Sequence, residues 1–274
     1  MITNKNSLAQ LVDSHAHLEL EPLINDTDNV MRRAAQAGVV AVVTVGIDLE
    51  DSRNAISIAR RFDNVFVSIG FHPHNAKHAK DRDLVEIEKM ASDPKVVGYG
   101  EIGLDFFRDR SPRDTQLSVF GHQIELAKAL KKPVVIHLRD AYEKGLSMLE
   151  KAAPFPSSGV IHCFSGVQED AQRALDLGFY ISIPGTVTYK KNDQLRSIVA
   201  KLPEERILLE TDCPFLSPEP LRGKDCEPAF IVHTAKKVAE VRGSSLQDLG
   251  MQTTLNAMKL FGLPREILNN PQNS

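Results

Sequence analysis

The sequence predicts an α/β chain folded as a single (β/α)8 TIM barrel, and three observations carry the fold. Eight short runs rich in Val and Ile recur along the chain. Most are followed by a stretch with apolar residues at three- and four-residue spacing, as a buried helix face requires. The mean repeat from Leu11 to Ile207 is about 28 residues, the size of a βα unit with a right-handed crossover. The first run, Gln10 to Asp13, precedes the helical stretch Asn29 to Ala37, and the second, Val39 to Val45, precedes Ser52 to Arg61. The third and fourth are Val65 to Ile69 and Val96 to Tyr99, the latter followed by Gln116 to Lys131. Pro133 to Ile136 and Gly159 to Ile161 come next, then the helical Gln168 to Leu177 and the run Phe179 to Ile183. Arg206 to Leu209 closes the series, with Ala229 to Val241 and Thr253 to Leu260 as helices behind it. These runs are continuously apolar rather than alternating, so both faces are buried and the sheet is parallel. Eight units in 274 residues lie near the ~250 typical of a closed barrel. Pro154 to Ser158 and Ser217 to Pro228 are short enough to be loops, which leaves one TIM-barrel domain over 1–264 and a polar tail over 265–274.

Composition excludes several classes. With 42% hydrophobic and 25% charged residues, 16 Gly and 15 Pro, the chain is neither disordered nor collagen-like. No apolar run approaches the ~20 residues that span a bilayer, and Met1 to Gln10 lacks the features of a secretory signal. Cys163, Cys213 and Cys226 are odd in number and form no C-x-x-C pair, which points to reduced thiols in the cytoplasm. A net charge of −3 supplies no basic field for non-specific duplex binding, so phosphate chemistry must rest on local charge. A monomer or weak homo-oligomer without membrane contact is expected.

Barrel enzymes gather function at the C-terminal ends of the strands. Five of the eight ends carry metal-ligating residue types: Asp13-Ser14-His15-Ala16-His17, Glu101, His137, His162 and Asp212. Alternation along a strand puts His15 and His17 on one face, Glu101 with Val97 and Tyr99, His137 with Val135 and Arg139, His162 with Val160, and Asp212 with Leu208 and Glu210. Any one of these histidines alone reads as a hydrogen-bonded structural residue. For all six to be structural, five strand ends would each need an unrelated explanation. Four histidines and two carboxylates exceed the four ligands of one tetrahedral ion and suit two divalent cations ~3.5–4 Å apart. His15, His17 and Asp212 are expected on one ion and His137 and His162 on the other, with Glu101 bridging and Asp212 taking a proton from the attacking water.

His72, in Phe71-His72-Pro73-His74, either contacts phosphate or the attacking water or caps its turn. Asp105 is placed to orient a ligand histidine, or to begin a helix. Arg139, Arg222 and Lys224 are candidates for phosphate, with solvated surface charge as the alternative. His78, His122 and His233 are expected to be structural, and Cys163 and Cys213, of opposite parity to His162 and Asp212, to point away from the ions.

Several strings resemble the TatD family of metal-dependent hydrolases: Asp13-Ser14-His15-Ala16-His17-Leu18, Gly70-Phe71-His72-Pro73-His74, Gly100-Glu101-Ile102-Gly103-Leu104-Asp105, Pro133-Val134-Val135-Ile136-His137-Leu138-Arg139, His162-Cys163-Phe164-Ser165-Gly166, Glu210-Thr211-Asp212-Cys213-Pro214, Gly185-Thr186-Val187-Thr188-Tyr189 and Asn256-Ala257-Met258-Lys259-Leu260-Phe261-Gly262. They run in order from about residue 11 to 263. The resemblance implies a TIM barrel of the amidohydrolase-like, metal-dependent hydrolase type that hydrolyses phosphodiesters as a magnesium-dependent deoxyribonuclease, with 3′-to-5′ exonuclease activity on single-stranded DNA and extension to RNA. It implies the ligand set His15, His17, Glu101, His137, His162 and Asp212, and two divalent ions per chain, Mg or Mn for activity with Zn or Ni favoured by imidazoles on affinity. Ala16 stands where members often have Cys, and Asp225-Cys226 departs from the usual loop after the eighth strand. The rival reading is a binuclear hydrolase of another ester or amide, such as a D-aminoacyl-tRNA deacylase; a metal-binding scaffold would be expected to have lost ligands.

Overall fold

A computed structural model of the protein describes residues 8–269. The elements are β1 (Leu11–Ala16), α1 (Thr27–Gln36), β2 (Val39–Gly46), α2 (Leu49–Ala59), β3 (Val65–Ile69), α3 (Asp81–Met90), β4 (Val96–Asp105), α4 (Arg113–Ala129) and β5 (Val134–Arg139). The second half continues with α5 (Tyr142–Ala152), β6 (Gly159–Ile161), α6 (Gln168–Asp176), β7 (Tyr180–Ile183), α7 (Asp193–Val199), β8 (Ile207–Leu209), α8 (Ile231–Arg242) and α9 (Leu246–Phe261). The eight strands pair in sequence order, each parallel to the next. The chain is thus the TIM barrel that the repeat predicts, and α3, α5 and α7 are helices that the sequence reading did not name.

The barrel is closed only at its mouth. Between β8 and β1 there is a single parallel bridge, Ala16 to Cys213, with His17 N–H donating to Cys213 O at 2.8 Å and Asp212 N–H donating to His15 O at 3.0 Å. The last hydrogen bonds of the barrel therefore run between the segments that carry His15, His17 and Asp212.

Inside the barrel, side chains form layers. Val12, Val135, Val160, Tyr180 and Leu208 make an apolar floor, against which Leu260 and Phe261 at the end of α9 pack. Asn256 holds that helix in place by donating to Glu204 O at 2.7 Å and Ile207 O at 2.9 Å. Above the floor, Ser14 and Ser182 meet at 3.0 Å and the Ser68 hydroxyl donates to Gly100 O at 2.7 Å. A second, larger apolar cluster lies between the strands and the helices. Capping fixes helix starts: the Asp48 carboxylate accepts from two amides at the head of α2, and Ser245 from Asp248 N–H at the head of α9.

Departures from simple alternation in β1 and β4 serve the mouth. Val12 faces the barrel interior, so strict alternation would turn His15 outward. The pairing of β1 with β2 shifts between Asp13 and Ala16, and the shift brings His15 and His17 inward. In β4 the register shifts between Tyr99 and Ile102. Tyr99 packs outward with Ile102 and Leu104 while Glu101 points in, so the expected shared face of Tyr99 and Glu101 is not found. Arg265–Asn269 forms a 3-10 turn with Ile267 buried, and the remainder of the expected tail, 270–274, lies outside the described residues.

Candidate metal centre

All six residues singled out at the strand ends meet at the mouth. Every one is buried except His137 and Asp212, which are partly exposed. Glu101 lies at the middle and directs its two oxygens to different neighbours. Oε2 is 3.4 Å from His15 Nε2 and 3.9 Å from His17 Nε2. Oε1 is 2.7 Å from His137 Nδ1, 2.8 Å from His162 Nε2 and 3.4 Å from His72 Nε2.

On the first side, His15 Nε2 and His17 Nε2 are 3.3 Å apart, and Asp212 Oδ1 is 3.8 and 3.5 Å from them. Four donors around an ion at 2.0–2.1 Å stand about 3.4 Å from one another in a tetrahedron. The observed separations fit such a shell. On the second side, His137 Nδ1 and His162 Nε2 are 3.3 Å apart, again the spacing of two ligands on one ion. The donor set of imidazoles and carboxylates therefore suits divalent transition metals, and also Mg or Mn through its oxygens.

Outer partners decide which nitrogen of His17 and of His137 faces the centre. His17 Nδ1 donates to Val45 O at 2.8 Å, with Glu19 Oε1 at 3.1 Å, and this leaves its Nε2 lone pair free. Glu19 is itself held by the Thr44 hydroxyl at 2.7 Å. His137 is presented the other way round. Its Nε2 faces Asp105 Oδ2 at 3.2 Å, which frees Nδ1. Asp105 also takes His74 Nε2 at 2.9 Å and the amides of Phe107 and Arg108, so a carboxylate fixed by the backbone holds the His137 ring. Glu210 lies 3.4 Å from His162 Nδ1 and accepts the Cys163 amide at 2.7 Å. Asp13 accepts the Thr211 amide at 3.0 Å and its hydroxyl at 2.6 Å, tying β1 to the segment of Asp212.

Burial and charge pull the titrations apart. Desolvation opposes ionisation of Glu101, but His162, His72, His137 and His15 outweigh it and hold this carboxyl well below its usual range. His17 is lowered by burial and raised more strongly by Asp212 and Glu19, and His162 likewise by Glu101 and Glu210. His137 is also raised on balance, by Asp105 and Glu101. His15 is lowered by burial and by the charge of His162, on which its ring stacks at 3.8 Å. Burial likewise pushes His72 down to about 4.

The remaining candidates are placed less centrally. Arg139 lies over the ring of Phe107 at 4.1 Å and Arg222 over Tyr189 at 4.5 Å. Neither is in an ion pair among the described residues. Lys224 is exposed beside Arg222. His78 and His122 are exposed, and His233 lies on α8. Cys163 adopts φ +45°, and the alternation expected to turn it away ends with β6 at Ile161. Its thiol is pushed well up by burial and by the charges of Asp212, Glu210 and Glu101. Sequence reasoning assigned no role to Asp13, Glu19, His74 or Glu210. Asp13, Glu19 and Glu210 each lie two residues from a candidate ligand, which is the signal that could have found them.

The chain is similar to known proteins over nearly its whole length. The family model for TatD related DNase matches residues 12–262. The metal-dependent hydrolase YabD of Bacillus subtilis is 38% identical over 92% of the chain and 98% of its own length. The 3′-5′ ssDNA/RNA exonuclease TatD of Erwinia amylovora is 35% identical over 92% of the chain and 100% of its own length. The crystal structure of YjjV, a TatD homologue from Escherichia coli, superposes with a TM-score of 0.89 at 30% identity, covering 93% of this chain and 98% of that one.

Proposed function

The chain belongs to the family of TatD related DNases, metal-dependent hydrolases of ester bonds, and from that membership we propose a 3′-to-5′ exonuclease acting on single-stranded DNA, and on RNA, in the cytoplasm. The observation that carries a binuclear reading is the split of Glu101: one oxygen faces His15 and His17, the other His137 and His162. His15, His17 and Asp212 would hold one divalent cation, His137 and His162 a second, and Glu101 both. When bound, such cations polarise a phosphoryl oxygen and lower the pKa of water from 15.7 towards ~7.

The chain's own groups do the rest. Asp212, held below the ordinary carboxylate range by its histidine neighbours against the pull of burial, remains ionised and takes the proton of the attacking water. Arg139 and Arg222 supply guanidinium groups to the phosphoryl oxygens and to the next phosphate along the strand. Phe107 and Phe215 are about half exposed at the rim, with the Phe215 ring edge-on to His17 at 6.1 Å. Exposed aromatic faces beside guanidinium groups suit unpaired bases, which stack; a duplex keeps its bases covered. That is the support for a single-stranded substrate.

The test is incubation of metal-stripped protein with 5′-labelled single-stranded DNA, RNA and D-aminoacyl-tRNA, restoring Mg, Mn or Zn separately. A ladder shortening from the 3′ end is expected. Release of the amino acid with intact polynucleotide would replace this reading with that of a deacylase.

A further inference from the structure

His72 sits where the second imidazole pair meets Glu101, its ring 4.6 Å from that of His137. Together with Glu101 and His137 it is close enough to share a cation. Proximity alone would allow three roles: metal ligand, proton acceptor or hydrogen-bond donor. The backbone decides among them.

His72 is the N-cap of the 3-10 turn Pro73–His78, and its Nδ1 accepts the His74 amide at 3.1 Å. A backbone amide can only donate, so Nδ1 carries the lone pair. In a neutral imidazole the proton then resides on Nε2. The nitrogen that faces the centre is therefore an N–H, with no lone pair to give to a cation or to a proton. The main chain of His72 is fixed as well, its amide donating to Ile47 O at 3.0 Å and its carbonyl accepting from Asn75 at 2.8 Å. The residue is only 6% exposed, and the bond from the His74 amide holds the ring in this orientation.

We infer that His72 is a catalytic hydrogen-bond donor: its Nε2–H binds a non-bridging oxygen of the scissile phosphate, and it stays outside the coordination of both cations. The inference rests on the phosphodiesterase reading above. Glu101 Oε1 is in close contact with His137 and His162 at 2.7 and 2.8 Å, and the His72 Nε2–H reaches it at 3.4 Å, a long contact that an incoming oxygen can replace. The Nε2–H is thus available to an incoming oxygen on which negative charge develops. No proton transfer is required of it.

Three proteins test this: the wild-type chain, His72→Ala, and His72→Gln, whose side-chain amide restores an N–H at similar reach. Each is loaded with Co(II), its metal content counted by mass spectrometry and its visible spectrum recorded. Two equivalents and an unchanged spectrum are expected in all three. Hydrolysis of single-stranded DNA should fall about 10²–10³-fold in kcat for His72→Ala, the effect of losing one preorganised donor, with at least tenfold recovery in His72→Gln. A non-bridging sulfur is a poor acceptor, so the wild type should prefer one phosphorothioate diastereomer, and the preference should shrink in His72→Ala. Loss of a metal equivalent or an altered Co(II) spectrum in His72→Ala would make His72 a ligand and overturn the inference. So would an undiminished phosphorothioate preference. A wild type that cleaves no DNA would overturn the underlying reading as well, and the two failures are thereby told apart.

Discussion

Replacing Asp105 with Asn would keep the shape of the side chain and reverse its hydrogen bonding at one atom. In the native chain Oδ1 accepts the amides of Phe107 at 3.1 Å and Arg108 at 2.7 Å, and Oδ2 faces His137 Nε2 at 3.2 Å and His74 Nε2 at 2.9 Å. The asparagine oxygen would stay with the two amides, because they can only donate. Its NH2 would then confront two imidazole nitrogens, and His137 could satisfy it only by moving its proton from Nε2 to Nδ1. A protonated Nδ1 cannot hold a cation. Loss of such an orienting partner weakens metal affinity about 10–100-fold, or about 1.4–2.7 kcal/mol at 1.36 kcal/mol per decade. Only the ion on the His137 and His162 side should be affected, since His15, His17 and Asp212 make no contact with Asp105. Chelator competition at pH 8, titrating Zn into metal-free protein, separates the two affinities. The reasoning is refuted if both remain within a factor of two of the wild type, or if both fall equally.

Three further outcomes are expected. Glu101→Ala should abolish metal-dependent cleavage and leave fewer than two bound equivalents, with an unchanged far-ultraviolet circular dichroism spectrum; full activity would remove Glu101 from the site. For the metal-free chain, the folded pKa values of His17, His137 and His162 lie above the unfolded value of ~6.5, so their contribution to stability is complete below that pH and is lost as pH rises through the folded values. Asp13, which burial raises to about 8, acts in the same direction as it ionises. Calorimetry in EDTA should therefore show Tm falling from pH 6.5 to 8.5, while cation affinity climbs because the cations displace those same protons; a rising Tm would contradict the assignment. Phe215→Ala should raise KM for single-stranded DNA about 5- to 150-fold, the equivalent of the ~1–3 kcal/mol of one stacked base, without a comparable loss of kcat, as steady-state kinetics on oligonucleotides will show.

The sequence exposed the barrel because each strand is a continuous apolar run, and it exposed the six central residues because barrel topology brings every strand's C-terminal end to one place. Alternation carried the argument correctly where strands are regular. On β5, Val135 lies in the floor and His137 and Arg139 are above it, and on β6 Val160 leads to His162. It misled at the bend in β4, where Tyr99 and Glu101 part. The shared inward face of His15 and His17 is found, but through a register shift that nothing in Leu11 to His17 marks, since the shift depends on how β1 pairs with β2. The outer partners were hidden for a related reason: Glu19 reaches His17 only because Thr44 on the next strand holds it, and His74 reaches Asp105 across the gap between β3 and β4.

The bend in β4 is the exception, because its cause is written in the chain. Gly103 has φ +147°, where L side chains are rarely found, and a Cβ there would overlap the carbonyl of His137 on β5. Gly100 is equally constrained, with φ +146° and Val135 O in the way of a Cβ. These two glycines let β4 run against β5 without a side chain between them, and the register shift they flank turns Glu101 to the interior while Tyr99 stays in the outer core. The central position of Glu101 therefore depends as much on the glycines beside it as on the carboxylate itself. In the string Gly100-Glu101-Ile102-Gly103-Leu104-Asp105, the backbone-permissive residues and the acidic residues form one device: the first pair brings β4 close to β5, and the second pair acts on opposite nitrogens of His137, Glu101 on Nδ1 and Asp105 on Nε2.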